Sequence, residues 1–178
     1  MSHKSTVLAA VVAAVSGIGC LTIDVWAGGD KVAFPENYAA GVMYLSVDKA
    51  DRKEVHQLYG MPDAVNAARQ NQPMPSGTAL IVVRYSAKLD AGGNPIKGPD
   101  GHLVKDDKVL GYAVMEKRTG WGNEYPDALR NGEWEYRVFT AEKKPNDAAK
   151  LTACFECHKP IADYDFVHSY DKLKAAAQ

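Results

Sequence analysis

Cysteine is scarce in this chain: three among 178 residues, at positions 20, 154 and 157. That excludes a scaffold stapled by several disulfides. Cys154 and Cys157 are also too close in sequence to form a conventional stabilising bridge, because the loop between them is tiny. An excess of one charge is missing too, with 21 basic against 22 acidic residues and a net charge of -1. No lysine- or arginine-rich stripe is interleaved with aromatics, so the electrostatic basis for binding nucleic acid is absent. There is no internal repeat. No methionine follows His158, the last being Met115. A length of 178 residues, 46% of them hydrophobic and 24% charged, fits one globular domain better than two.

The first 27 residues differ from the rest. Met1-Ser2-His3-Lys4 is a short positive start, Ser5 to Ile23 is almost wholly apolar or small, and Val25-Trp26-Ala27 offers a small-x-small cleavage site before Gly28. Residues 1–27 therefore read as an export signal ahead of a domain over residues 28–178. The rival readings are an uncleaved membrane anchor, since the apolar run approaches the length of a span, and lipidation at Cys20. The position before Cys20 that usually carries leucine is occupied by Gly17.

Along the domain, Ala39–Val47 is apolar and suits a strand or a short helix. Asp51–Tyr59 has Val55, Leu58 and Tyr59 at helical spacing and reads as a helix. Asp63 is placed to cap a second helix reaching Gln70. After the punctuated stretch Asn71–Gly77, Thr78–Ser86 is rich in β-branched residues and reads as a strand. Asp90–Lys108, with two glycine-proline clusters, predicts a long polar hairpin arm, and Val109–Lys117 the returning strand. Trp134–Thr140 predicts a third strand. Asp147 is a candidate cap for a short helix entering Cys154, and Lys172–Ala177 suggests a terminal helix. The class expected is α+β: an antiparallel sheet with flanking helices and the reactive motif near the C-terminus.

That motif is Cys154-Phe155-Glu156-Cys157-His158, the attachment signature for c-type haem. Two thiols about a helical turn apart can add to the two vinyl groups on one porphyrin edge. The next residue, His158, is thereby brought to the iron as its proximal ligand. Chance gives roughly 0.0014 such matches in a chain of this composition. A thioredoxin-like redox pair would call for a βαβ setting near the chain's start. Zinc would call for a second ligand pair, and no other cysteine follows the leader. One covalent haem c is the cofactor this implies, attached outside the cytoplasm as the leader suggests. With no methionine downstream, the sixth iron position must be filled from upstream or stand open to small ligands.

The terminal Cys154–Pro160, the preceding Gly132-Glu133-Trp134-Glu135-Tyr136 and the strand after Pro75-Ser76-Gly77-Thr78 resemble the cytochrome P460 family and its β-sheet cytochrome c′ relatives, the c′-beta group. The resemblance runs from about Phe34 to Leu173. It implies a homodimer with a five-coordinate or weakly six-coordinate haem c. P460 proper oxidises hydroxylamine and bonds a lysine to the porphyrin. The c′-beta relatives lack that bond, have apolar distal pockets and bind nitric oxide or carbon monoxide.

On this resemblance the family's lysine is expected near Arg84, whose guanidinium stays protonated and attacks a porphyrin carbon poorly. Lys88 lies four residues on, on the same strand face if alternation holds. A hydroxylamine-oxidising enzyme also needs a distal base. Glu116, Glu133, Glu135 and Glu142 are available for it. The catalytic candidates are thus Arg84, Lys88 and Glu116. Met43, Met61, Met74 and Met115 are candidate axial thioethers, each with core filling as the alternative. His56 and His168 read as surface or core residues. Trp121, Trp134, Tyr112 and Tyr136 are candidates for the pocket wall. The function expected is a periplasmic mono-haem cytochrome that binds a small nitrogenous ligand such as nitric oxide. Its alternatives are a hydroxylamine oxidoreductase and a six-coordinate electron carrier serving a redox partner protein.

Overall fold

A computed structural model describes residues 29–176. The expected leader falls outside them. Among the described residues no helix is long and apolar enough to cross a membrane.

Among the described residues five antiparallel strands form a single sheet in the order β1-β2-β3-β4-β5. They are β1 (Val42–Lys49), β2 (Glu54–Gly60), β3 (Ala79–Ala87), β4 (Lys105–Lys117) and β5 (Trp134–Phe139). The three α-helices among the described residues are α1 (Pro62–Arg69), α2 (Thr152–His158) and α3 (Tyr170–Lys174). Such a meander with short helices is the α+β architecture expected.

One expected helix does not form. Asp51–Tyr59 is not a helix: its start is a 3₁₀ turn over Ala50–Arg52, and the rest is β2. Val55, Leu58 and Tyr59 do have helical spacing, but residues 54–60 pair on both sides, with β1 and with β3. Two ladders of backbone hydrogen bonds outweigh a weak local preference. The register then sends Glu54, His56 and Leu58 to one face and Val55, Gln57 and Tyr59 to the other.

The remaining elements fall close to expectation. Asp63 does not cap α1, whose N-cap is Met61 without a side-chain bond. Asp147 pairs with Arg137 instead of capping α2. The polar arm between β3 and β4 is held by bridges Leu89↔Pro95 and Lys97↔Leu103. Gly111 opposes Arg84 at a register shift, and a Cβ there would lie 2.8 Å from the Phe139 carbonyl oxygen.

Each sheet face carries its own core. On one face, Leu80, Met115, Trp134 and Tyr136 pack against Val65 of α1, Phe155 of α2 and Leu173 of α3. Val65 and Leu173 are fully buried, worth about 1.5–3 kcal/mol apiece. On the other face, Ile81, Val83, Tyr112, Val114 and Phe139 are covered by the N-terminal segment through Val32, Phe34 and Tyr38. The helical face is the one that holds the motif.

Candidate haem site

α2 carries the motif, and Phe155 explains how it is held. Its side chain is 1% exposed and packs at centroid distances of 4.8 Å on both Tyr125 and Tyr136. With Phe155 turned inward, Cys154 and Cys157, three residues apart, share a neighbouring face of the helix. Both are free thiols, Cys154 half-buried and Cys157 exposed. Burial pushes the Cys154 thiol up. The buried amide of Asn131 fastens the helix to the sheet, donating to the Phe155 carbonyl at 3.0 Å and to the Tyr136 hydroxyl at 2.9 Å.

His158 closes α2 against Tyr136, with ring centroids 5.0 Å apart. Its Nδ1 lies 2.6 Å from the Phe166 carbonyl oxygen. A carbonyl can only accept, so Nδ1 carries the hydrogen and Nε2 presents its lone pair. Burial, above all, holds the imidazole below its ordinary pKa and therefore neutral. A neutral ring whose far nitrogen donates to a carbonyl is the form that ligates a metal. His168 stacks edgewise on His158 at 4.9 Å, its Nε2 donating to the Cys157 carbonyl at 3.0 Å.

Beside the motif lies a cavity of about 460 Å³, within the usual range of cofactor pockets. Cys154, His158 and His168 line it from the helical side, and Leu58, Val82 and Ala113 line it from β2, β3 and β4. These three apolar residues are register neighbours, since Leu58 pairs with Val82 and Val82 with Ala113. They form a continuous patch of one sheet face. Among the described residues no carboxylate lines the cavity.

Neither Arg84 nor Lys88 lines the cavity. Arg84 lies two residues beyond Val82 on the same face, bound bidentately to Glu54 at 2.7 and 3.1 Å. His56, its cross-strand neighbour, reaches the same carboxylate at 2.7 Å. The Arg84 guanidinium, more than any other group, holds the Glu54 carboxyl down at about 2. Lys88 is exposed in the polar arm, past the end of β3.

Glu116 sits on the opposite sheet face, paired with Arg118 at 2.6 Å and opposite Glu135 across the strands. Glu133 accepts the Gly120 N–H, and Glu142 is exposed. Met115 lines the cavity. Met74 is core filler, and Met43 is 46% exposed. Of the aromatic wall candidates, Tyr136 lines the cavity, while Tyr112 and Trp121 pack on the far face. Sequence reasoning missed the roles of Asn131, Phe166 and His168. His168 alone left a signal, as the one histidine after the motif.

The residues present fit a haem. Two free thiols are spaced for one porphyrin edge, a neutral imidazole has one nitrogen committed and the other available, and an apolar cavity adjoins Cys154 and the imidazole, with Cys157 outside its lining. Such a site on an antiparallel sheet defines a c-type cytochrome. The family model for cytochrome P460 matches residues 35–169, most of the chain, and the protein belongs to that family. Membership implies a haem c cofactor. No curated protein matches the chain.

Proposed function

We propose that Cys154 and Cys157 carry one covalent haem, that His158 is its proximal iron ligand, and that the haem binds nitric oxide or a ligand of the same kind. When bound, the haem supplies an iron able to take a small ligand or an electron. The chain supplies the rest. The Phe166 carbonyl fixes the His158 tautomer, and Leu58, Val82 and Ala113 offer an apolar surface that excludes water and gives a small neutral ligand no competing hydrogen bond.

The observation that carries this reading is the absence of a carboxylate from the cavity lining among the described residues. Hydroxylamine oxidation needs a group to accept the substrate's protons. Glu54, a carboxylate on the same sheet face, is already engaged by Arg84 and His56. Glu116 is on the wrong side of the sheet. An electron carrier would need a sixth ligand. Met115 is the methionine best placed for it, though it also packs in the core with Leu80 and Tyr136. Residence in the periplasm and a homodimeric state accompany the proposal, on the strength of the leader and of the family.

Two titrations of haem-loaded protein separate these readings. Nitric oxide should give a stable complex, while hydroxylamine with a chemical electron acceptor should give no sustained turnover. Sustained hydroxylamine oxidation would overturn the proposal in favour of the enzyme.

A further inference from the structure

The carbonyl that fixes His158 belongs to a backbone segment in an unusual conformation. Asp165 and Phe166 are consecutive non-glycine residues with left-handed backbones, φ 49° and 60°. Such a conformation is unfavourable for a residue with a Cβ, and a consecutive pair persists only where its surroundings over-determine it.

Those surroundings converge on one side chain. The Asp165 carboxylate accepts two bonds from Lys117 Nζ, at 2.8 and 2.9 Å. It also accepts the Met74 N–H at 2.7 Å and a longer bond from Trp134 Nε1 at 3.4 Å. The ion pair is largely buried, with side chains 11% and 13% exposed. Three donors thus arrive from the end of β4, the start of β5 and the loop before β3. All three lie outside the motif. On the next residue, the Phe166 ring packs against Gly132, where a Cβ would come within 3.1 Å of it. Anchored at both residues, the turn directs the Phe166 carbonyl at His158 Nδ1, 2.6 Å away.

We propose that Asp165, held by Lys117, is a positioning residue for the haem's proximal ligand. Its anchorage fixes the Phe166 carbonyl on His158, and with it the imidazole's orientation and electron donation. This rests on the haem reading above. A strong acceptor on Nδ1 makes the ring a better donor to iron, which favours the oxidised metal and stiffens the iron–histidine bond. No group here needs to change protonation. The effect is one of geometry.

The test compares haem-loaded wild-type protein with Asp165→Ala, Asp165→Asn and Lys117→Gln, using exposed Asp163→Ala as the control. The readouts are the iron–histidine stretching frequency of the reduced protein and its midpoint potential. Asp165→Ala should lower the frequency and raise the potential. Asp165→Asn, which keeps an acceptor for Met74 and nearly the same shape, should move both in the same direction by less. Lys117→Gln should resemble Asp165→Asn, and Asp163→Ala should match wild type. Should Asp165→Ala fail to fold, the two milder variants decide the matter. Wild-type values in variants that still carry histidine-ligated haem would overturn the proposal and leave the haem reading intact. Wild-type protein that carries no haem would overturn both.

Discussion

Replacing Glu54 with glutamine removes the charge that binds Arg84 and His56 while keeping the shape of the side chain. The Glu54 carboxyl titrates at about 2 in the fold against an ordinary 4.5. That difference corresponds to about 3 kcal/mol of linked stability as a ceiling. The Arg84 side chain is 33% exposed, and solvent there screens the pair, so a loss of roughly 1–3 kcal/mol is the working figure.

The sign follows from the depressed pKa. The contribution is complete above the unfolded value of 4.5 and disappears as pH falls through about 2. Urea unfolding of both proteins at about pH 7 and about pH 3 is the assay. Other carboxylates titrate equally in the two proteins and cancel in the difference. The gap between them should be roughly 1–3 kcal/mol at neutrality and should shrink markedly in acid. A gap below about 0.5 kcal/mol at pH 7, or one that does not narrow in acid, would show that the Glu54 charge does not stabilise the fold.

Three other outcomes are expected. Val82→Phe places a ring on the apolar wall and should slow carbon monoxide binding at least about tenfold, measured by flash photolysis, while haem attachment stays intact. Glu135 is fully buried, with Tyr125 donating to it at 2.8 Å, and burial pushes its carboxyl up to about 7. A raised carboxylate stabilises the fold most below the unfolded value of 4.5, and that contribution is lost as pH rises through about 7. Melting temperature should therefore fall with pH across this window, and Glu135→Gln should flatten the slope. Cys157→Ala should leave one thioether, visible as a single-bonded haem peptide by mass spectrometry, whereas Cys154→Ala with Cys157→Ala should release the haem to acid–acetone.

The motif residues of the candidate site were far more legible in the sequence than their surroundings. Cys154, Cys157 and His158 stand out because the haem c attachment signature is contiguous in the chain. β3, β4 and β5 were readable from runs such as Leu80–Val83 and Val109–Met115, where β-branched and apolar residues cluster. β2 was not. Its helical spacing of Val55, Leu58 and Tyr59 is real, and only pairing with β1 and β3 decides against it. Losing that strand also hid the Glu54–Arg84 pair, which depends on register between segments 30 residues apart. The carbonyl of Phe166 could not be found from residue type at all, since every residue has one. What distinguishes it is the left-handed turn anchored by Asp165, and the partners of that turn come from three separate parts of the chain.

Arg84 shows the limit of positional reasoning. Placed near the family's lysine by distance along the chain, it shares the cavity's sheet face yet stands beyond the lining, which on β3 includes Val82. His158 is proposed to ligate the iron of a haem c, with Leu58, Val82 and Ala113 lining the cavity in which a small ligand would bind. The most direct measurement is the absorption spectrum of the reduced, haem-loaded protein before and after carbon monoxide. A haem c spectrum with a pronounced Soret shift on adding the gas is the predicted result. A sharp α band unchanged by carbon monoxide would rule out an open ligand site, and the absence of any haem spectrum would rule out the cofactor.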